Sequence, residues 1–166
     1  MGESPTAYIQ RILQYAEGHE PLDVLAATPA RLMRLVAGVE ESRLARPPAP
    51  GKWSVREILA HLADVELVMG YRVRLILQTD GVEIQAFDQD RWAAIGRYAA
   101  TAPAHSLERL RIEREANVML LRSLTPAQRS RHGVHVERGR ETIGRIQQLW
   151  AGHDINHARQ VEGLLV

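Results

Sequence analysis

Two histidines, His153 and His157, stand four residues apart near the end of the chain, within the segment WAGHDINHARQ at 150–160. Four residues is just over one helical turn, so the two imidazoles lie one above the other on one helix face and can hold a cation from two sides. Their register sharpens the reading. Steps of three and four residues through 142–165 mark Ile143, Ile146, Trp150, His153, His157, Gln160 and Leu164 as one inward stripe. Imidazoles thus occupy places where a bundle helix normally puts Leu or Ile. A histidine there must be satisfied by a hydrogen bond, a carboxylate or a cation.

A third histidine, His61, stands on a segment whose apolar stripe is Val55, Ile58, Leu62, Val65, Met69, Val73 and Ile76. It sits on the flank of that stripe, along an edge shared with Glu57, Asp64, Val68 and Arg72. At about 1.5 Å per residue, His61 lies roughly 10 Å past Ser54, while His153 and His157 lie about 16 and 22 Å past Thr142. These depths agree best if the two helices run antiparallel. The three imidazoles then converge as nitrogen ligands and leave coordination positions for water or substrate. Asp64, Asn156 and Gln160 are candidates to fix an imidazole tautomer, and Arg72 and Arg114 to anchor an anionic substrate group. Asn117 joins them as a polar residue on an inward stripe. For these side chains a solvated flank or an interhelical ion pair is the competing reading. For the histidines it is a set of hydrogen-bonded core rings.

The 166 residues contain no cysteine, which excludes disulfides, thiolate ligands and a cysteine nucleophile. Any metal is held by nitrogen and oxygen, and any thiol chemistry uses a thiol brought by the substrate. With 45% hydrophobic and 25% charged residues the chain reads as a single globular domain over 1–166. The net charge of +1 leaves no basic face for nucleic acid, and Lys52 is the one lysine among 21 basic residues. The N-terminus has no signal pattern, Gly2 opens no convincing myristoylation site, and no membrane-length apolar run occurs. A cytoplasmic protein with a small-molecule substrate is expected, binding neither nucleic acid nor membrane.

The elements that must position the histidines follow from caps and periodicity. Ser4-Pro5 starts a short helix over 6–17, closed by Gly18, which serves as a lid or brace. Residues 21–27 form a further turn or so of helix. Thr28-Pro29 then restarts it as the first main helix, to about Leu44, with Leu32, Leu35, Val36 and Val39 inward. After the rigid run RPPAPG, Ser54 and Glu57 form a capping box, with Trp53 and Ile58 as its staple, for a second main helix over 55–77. A long connection from 79 to 91 leads to a helical piece over 92–100. Ser106 caps a third main helix over 107–124, with Leu107, Leu110, Arg114, Asn117, Leu121 and Leu124 inward. Thr125-Pro126 starts one more turn, Gly133 and Gly139 bracket a loop, and Thr142 begins the final helix. No convincing period-two run appears, so no sheet is expected. His19, His105, His132 and His135 fall at turns or in that loop and are expected to face solvent. A dinuclear carboxylate bundle needs Glu-x-x-His pairs, which are absent, and haem ligation by two histidines stays open as an alternative although no covalent attachment motif is present.

The combined pattern of WSVREILAHLADVE at 53–66, FDQDRW at 87–92 and HDINHARQ at 153–160 resembles the DinB/YfiT-like superfamily of small bacterial metal-binding proteins. The resemblance spans nearly the whole chain. It implies an all-α four-helix bundle in up-down-down-up order with short extra helices, often a homodimer. It also implies a divalent metal, zinc or nickel, held at His61, His153 and His157. The relatives implied include transferases and an isomerase that use low-molecular-weight thiols such as bacillithiol or mycothiol, and metal-dependent hydrolases. The expectation is therefore a thiol S-transferase acting through a metal-bound thiolate. The alternatives are a hydrolase using metal-bound water and a non-catalytic, metal-stabilised binding or stress-response dimer.

Overall fold

The structure, a computed structural model, describes residues 4–166, so Gly2 lies outside the described residues. Four long helices form the bundle: α2 (Pro21–Val36), α4 (Val55–Gln78), α6 (Pro103–Ser123) and α8 (Ile143–Leu165). Shorter helices flank them: α1 (Pro5–Ala16), α3 (Glu41–Leu44), α5 (Gln89–Ile95) and α7 (Pro126–Ser130), with a 3-10 turn at Tyr98–Ala100. The interhelical bonds give the directions. Asp64 meets Arg109 and Glu66 meets Arg114, so α4 and α6 run parallel. Arg31 of α2 meets Glu162 of α8, while Arg114 joins Leu25 to Asp154, so α2 and α8 are parallel too. His61 reaches His153 and Glu66 reaches Trp150, so α4 and α8 are antiparallel. The order is up-down-down-up. No described helix is long and apolar enough to cross a membrane.

Start signals act largely where the sequence places them. Ser54 accepts from the Glu57 backbone while Glu57 reaches back, the complete capping box. Ser4 caps α1, and Thr142 caps α8 by accepting from the Arg145 backbone. Three helix starts differ from expectation. The helix expected to restart at Pro29 is continuous from Pro21, and Thr28 does not cap it but bonds back to the Val24 carbonyl. It ends at Val36, and residues 41–44 form a separate turn after Gly38, whose φ is +72°. The third main helix begins four residues earlier than expected, at Pro103, and Ser106 is buried inside it. Proline tolerates the first turn because its missing N–H would be unpaired there in any case. The helical piece after the long connection starts earlier too, with Asp88 as cap and α5 ending before Arg97 at φ +52°.

A small sheet is also present, against expectation. β1 (Val82–Ile84) pairs parallel with β2 (His132–His135), which pairs antiparallel with β3 (Gly139–Thr142). Strands of three and four residues are too short to show a period of two. They close one end of the bundle and fix Ile84, His135 and Glu141 in the interior.

The core falls into two apolar clusters. One gathers Leu25, Ile76, Leu121 and Trp150 near the sheet, and the other Leu32, Leu62, Leu110 and Val161 at the opposite end. A polar layer at mid-depth joins all four main helices through Arg114. Its guanidinium, 2% exposed, donates to Glu66 of α4, Asp154 of α8 and the Leu25 carbonyl of α2. Glu66 also accepts from the Trp150 indole at 3.0 Å and from Asn117 at 3.2 Å. Every charge in the layer is thus hydrogen-bonded, the condition under which a buried charge is tolerated.

Candidate metal centre

His61 is held from α4, six residues into the helix, and His153 and His157 from α8, one turn apart. The antiparallel packing brings their rings to one point. Nε2 of His153 lies 3.1 Å from Nε2 of His61 and 3.1 Å from Nε2 of His157, and one ring nitrogen of each lies within 4.8 Å of the others. Ring centroids are 4.4 to 5.1 Å apart. The Trp53 ring packs against His61 at 4.8 Å and limits its rotation. Helix α1 covers the site, and Gly152 lets it do so, since a methyl group there would run into the Ile12 carbonyl.

Burial leaves the imidazoles neutral. It is the main cause that pushes His61 and His153 well below the ordinary histidine range, with neighbouring rings adding to it. The same desolvation brings His157 down to about 4, against a raising effect from Gln160 and Asp154. Neutral rings expose the lone pairs a metal needs. The proton inventory points the same way. The Gln160 side-chain oxygen, 3.0 Å from Nδ1 of His157, accepts a hydrogen bond from the Nδ1–H, which leaves Nε2 without a proton as a bare acceptor. His153 has one Nε2, with one proton or one lone pair, to share with two neighbours, so the two 3.1 Å contacts cannot both be ordinary hydrogen bonds. A shared cation relieves that conflict. Three nitrogens about 2.0–2.1 Å from a tetrahedral zinc would stand about 3.3 Å apart, close to the 3.1 Å of the two contacts that His153 makes. Nδ1 of His61 and of His153 is buried without a partner among the described residues.

His61 and His153 open onto a pocket of about 210 Å³ between α1, α4, α8 and the sheet. Ile12, Val65, Phe87 and Trp150 supply apolar wall, and Arg72 and His135 stand at the other end.

The remaining residues singled out in the sequence divide. Gln160 fixes the His157 tautomer although it is exposed at the end of its stripe rather than core-facing. Asn156 accepts from Arg11, tying α1 to α8. Asp64 accepts from the Tyr98 hydroxyl and from Arg109, not from an imidazole. Arg114 and Asn117 belong to the buried layer and do not line the pocket; Arg72 does. The solvent-facing expectation is corrected for two histidines. His135 is 1% exposed because its strand turns it inward, and His132 is partly buried and pairs with Asp80 at 3.0 Å. Glu66 and Asp154, both fully buried, look in the sequence like ordinary helix-surface acids until Arg114 is placed beside them.

Comparison with known proteins agrees with this architecture. A profile described as the DinB superfamily matches residues 25–161. The chain is similar to a Bacillus subtilis protein named "Putative metal-dependent hydrolase YfiT", with 28% identity over 144 residues covering 86% of this chain and 81% of that one. An Oceanobacillus iheyensis protein of the same functional name is 25% identical over 146 residues, covering 88% and 84%. The solved structure of YfiT is described as "a probable metal-dependent hydrolase with an unusual four-helix bundle topology". It superposes with a TM-score of 0.80 at 26% identity, over 98% of this chain and 88% of that one. With that profile covering most of its length, this chain belongs to the DinB superfamily.

Proposed function

We propose that this protein is a divalent-metal-dependent hydrolase of small molecules, its ion held by Nε2 of His61, His153 and His157. The observation that carries the reading is the convergence of three neutral ring nitrogens at the end of a largely apolar pocket. Three protein ligands are the set typical of catalytic sites, whereas structural sites are closed by four. An ion bound there supplies a Lewis acid that brings the pKa of water close to neutrality. The chain's own residues do the rest. Burial keeps the imidazoles unprotonated, Gln160 and Trp53 fix two of the rings, and the apolar wall keeps bulk water from the bond to be cleaved. The names of the relatives favour hydrolysis over the thiol transfer expected from the sequence.

The test is turnover by tag-free protein on a panel of small esters and anilides, with and without a chelator. In parallel, an electrophile such as 1-chloro-2,4-dinitrobenzene is offered with an added thiol. Metal-dependent hydrolysis that disappears in a folded His157→Ala variant supports the reading. Thiol consumption without hydrolysis returns the assignment to thiol transfer, and full metal occupancy with neither activity makes the protein a binder.

A further inference from the structure

Arg72 is a buried cation without a counter-ion. It is 6% exposed and forms no ion pair among the described residues. One Nη2 proton goes to the Gln85 carbonyl at 2.7 Å, Nη1 finds the weakly accepting Met69 sulfur at 3.8 Å, and the Phe87 ring centroid lies 5.9 Å from the guanidinium carbon. The acids that act on it do so at a distance. Glu141 is held in a two-pronged pair by Arg138 at 2.7 and 2.9 Å, and Glu137 is exposed.

His135 faces the same place. Its Nδ1 accepts the Glu137 backbone N–H at 3.2 Å, so in the neutral ring the proton resides on Nε2. Burial and the neighbouring Arg138 and Arg72 hold it below the usual histidine range, which keeps the ring neutral. Nε2 lies 3.4 Å from Nη2 of Arg72. Two N–H donors therefore confront each other in the interior, and neither can satisfy the other. What satisfies both is one acceptor placed between them. Both residues line the pocket that ends at His61 and His153. Arg72 follows His61 by eleven residues, three turns plus about 20°, so the two share one face of α4 roughly 16 Å apart. Val65 and Met69 form the apolar wall between them.

We infer that Arg72 and His135 form a carboxylate-binding subsite at the end of the pocket remote from the histidine triad. Its ligand is a small, elongated, mostly apolar molecule with a single carboxylate at one end. Arg138 lines the same pocket but is already paired with Glu141, so one free guanidinium and one neutral N–H suit a monoanion, and the exposed Glu137 opposes a dianion such as phosphate. On the hydrolase reading the scissile bond lies at the opposite end, near the triad; the subsite itself does not depend on that reading.

The experiment is calorimetric binding of 4-phenylbutyrate and of its neutral analogue 4-phenylbutanamide to the full chain after chelator treatment. The acid is expected to bind about tenfold tighter or better, the gain of a charge-assisted bond. That preference is expected to survive His61→Ala and to collapse in Arg72→Met. His135→Phe, expected to weaken it, carries the test if circular dichroism shows Arg72→Met unfolded. Equal binding of acid and amide by the unaltered chain overturns the inference. So does a preference that survives both substitutions, or one that vanishes in His61→Ala, since the carboxylate then sits at the histidine triad. Acid binding without any ester or amide hydrolysis leaves the subsite standing and removes only the hydrolase reading.

Discussion

Pro29 and Arg114 meet at one carbonyl oxygen. Proline has no N–H to give the carbonyl four residues before it, so the Leu25 oxygen is left open inside α2, and Arg114 from α6 fills it at 2.6 Å. The same guanidinium binds Glu66 and Asp154, so a defect in one helix is the point where all four main helices are joined. Asp154 adjoins His153, which places the joint at the level of the proposed metal centre. Arg114→Met strips two buried carboxylates and a carbonyl of their donor at once. We expect it to destabilise the fold by about 3–5 kcal/mol in urea denaturation. A cost below about 1 kcal/mol would mean the ion pairs behave as if exposed.

Gly152 decides whether α1 can lie over the site. Replacing it with alanine drives a methyl into the Ile12 backbone, which cannot yield as a side-chain tip could. The expected cost is about 1–3 kcal/mol, with earlier protease cleavage within residues 5–16. Unchanged stability and cleavage would show that α1 is not seated as described.

Gln160 is exposed, so its loss should barely affect folding while altering the ring it orients. Gln160→Leu is expected to lower zinc affinity about 10- to 100-fold in a chelator competition, and Gln160→Glu, still an acceptor, to restore most of it. Equal affinity in all three proteins would remove its role in setting the tautomer.

The metal-free protein should lose stability in mild acid. His157 has its pKa lowered from 6.5 to about 4, chiefly by burial, so between those values the unfolded chain binds the proton that the folded chain refuses. Stability is therefore full above about 6.5 and falls as the pH drops towards 4. This one ring contributes up to about 3 kcal/mol. His61 and His153 shift in the same direction, whereas Glu66, raised chiefly by burial, acts with the opposite sign in its own range. Urea midpoints measured from pH 7.5 to 4.5 under chelator check the slope. A flat profile would show the rings are solvated.

Much of the candidate site is legible in the sequence, because its signals are local. A capping box at Ser54 fixes the register of α4, and Thr142 fixes that of α8, so the depths of His61, His153 and His157 follow from counting turns. What the sequence hid depends on partners far along the chain. Pro29 reads as a helix start unless a donor 85 residues away, Arg114, is known to replace its missing bond. Glu66 and Asp154 read as surface acids for the same reason. His135 lies in a strand of four residues, too short for alternation to announce which side chains turn inward.

The most direct measurement is the divalent metal content of tag-free protein by mass spectrometry, compared with His61→Ala, His153→Ala and His157→Ala. About one equivalent per chain in the unaltered protein, falling to background in each folded variant, is the outcome expected of three imidazoles sharing an ion. Metal-free protein that does not take up zinc, nickel or other divalent ions on addition, or variants that retain a full equivalent, would contradict the proposed centre.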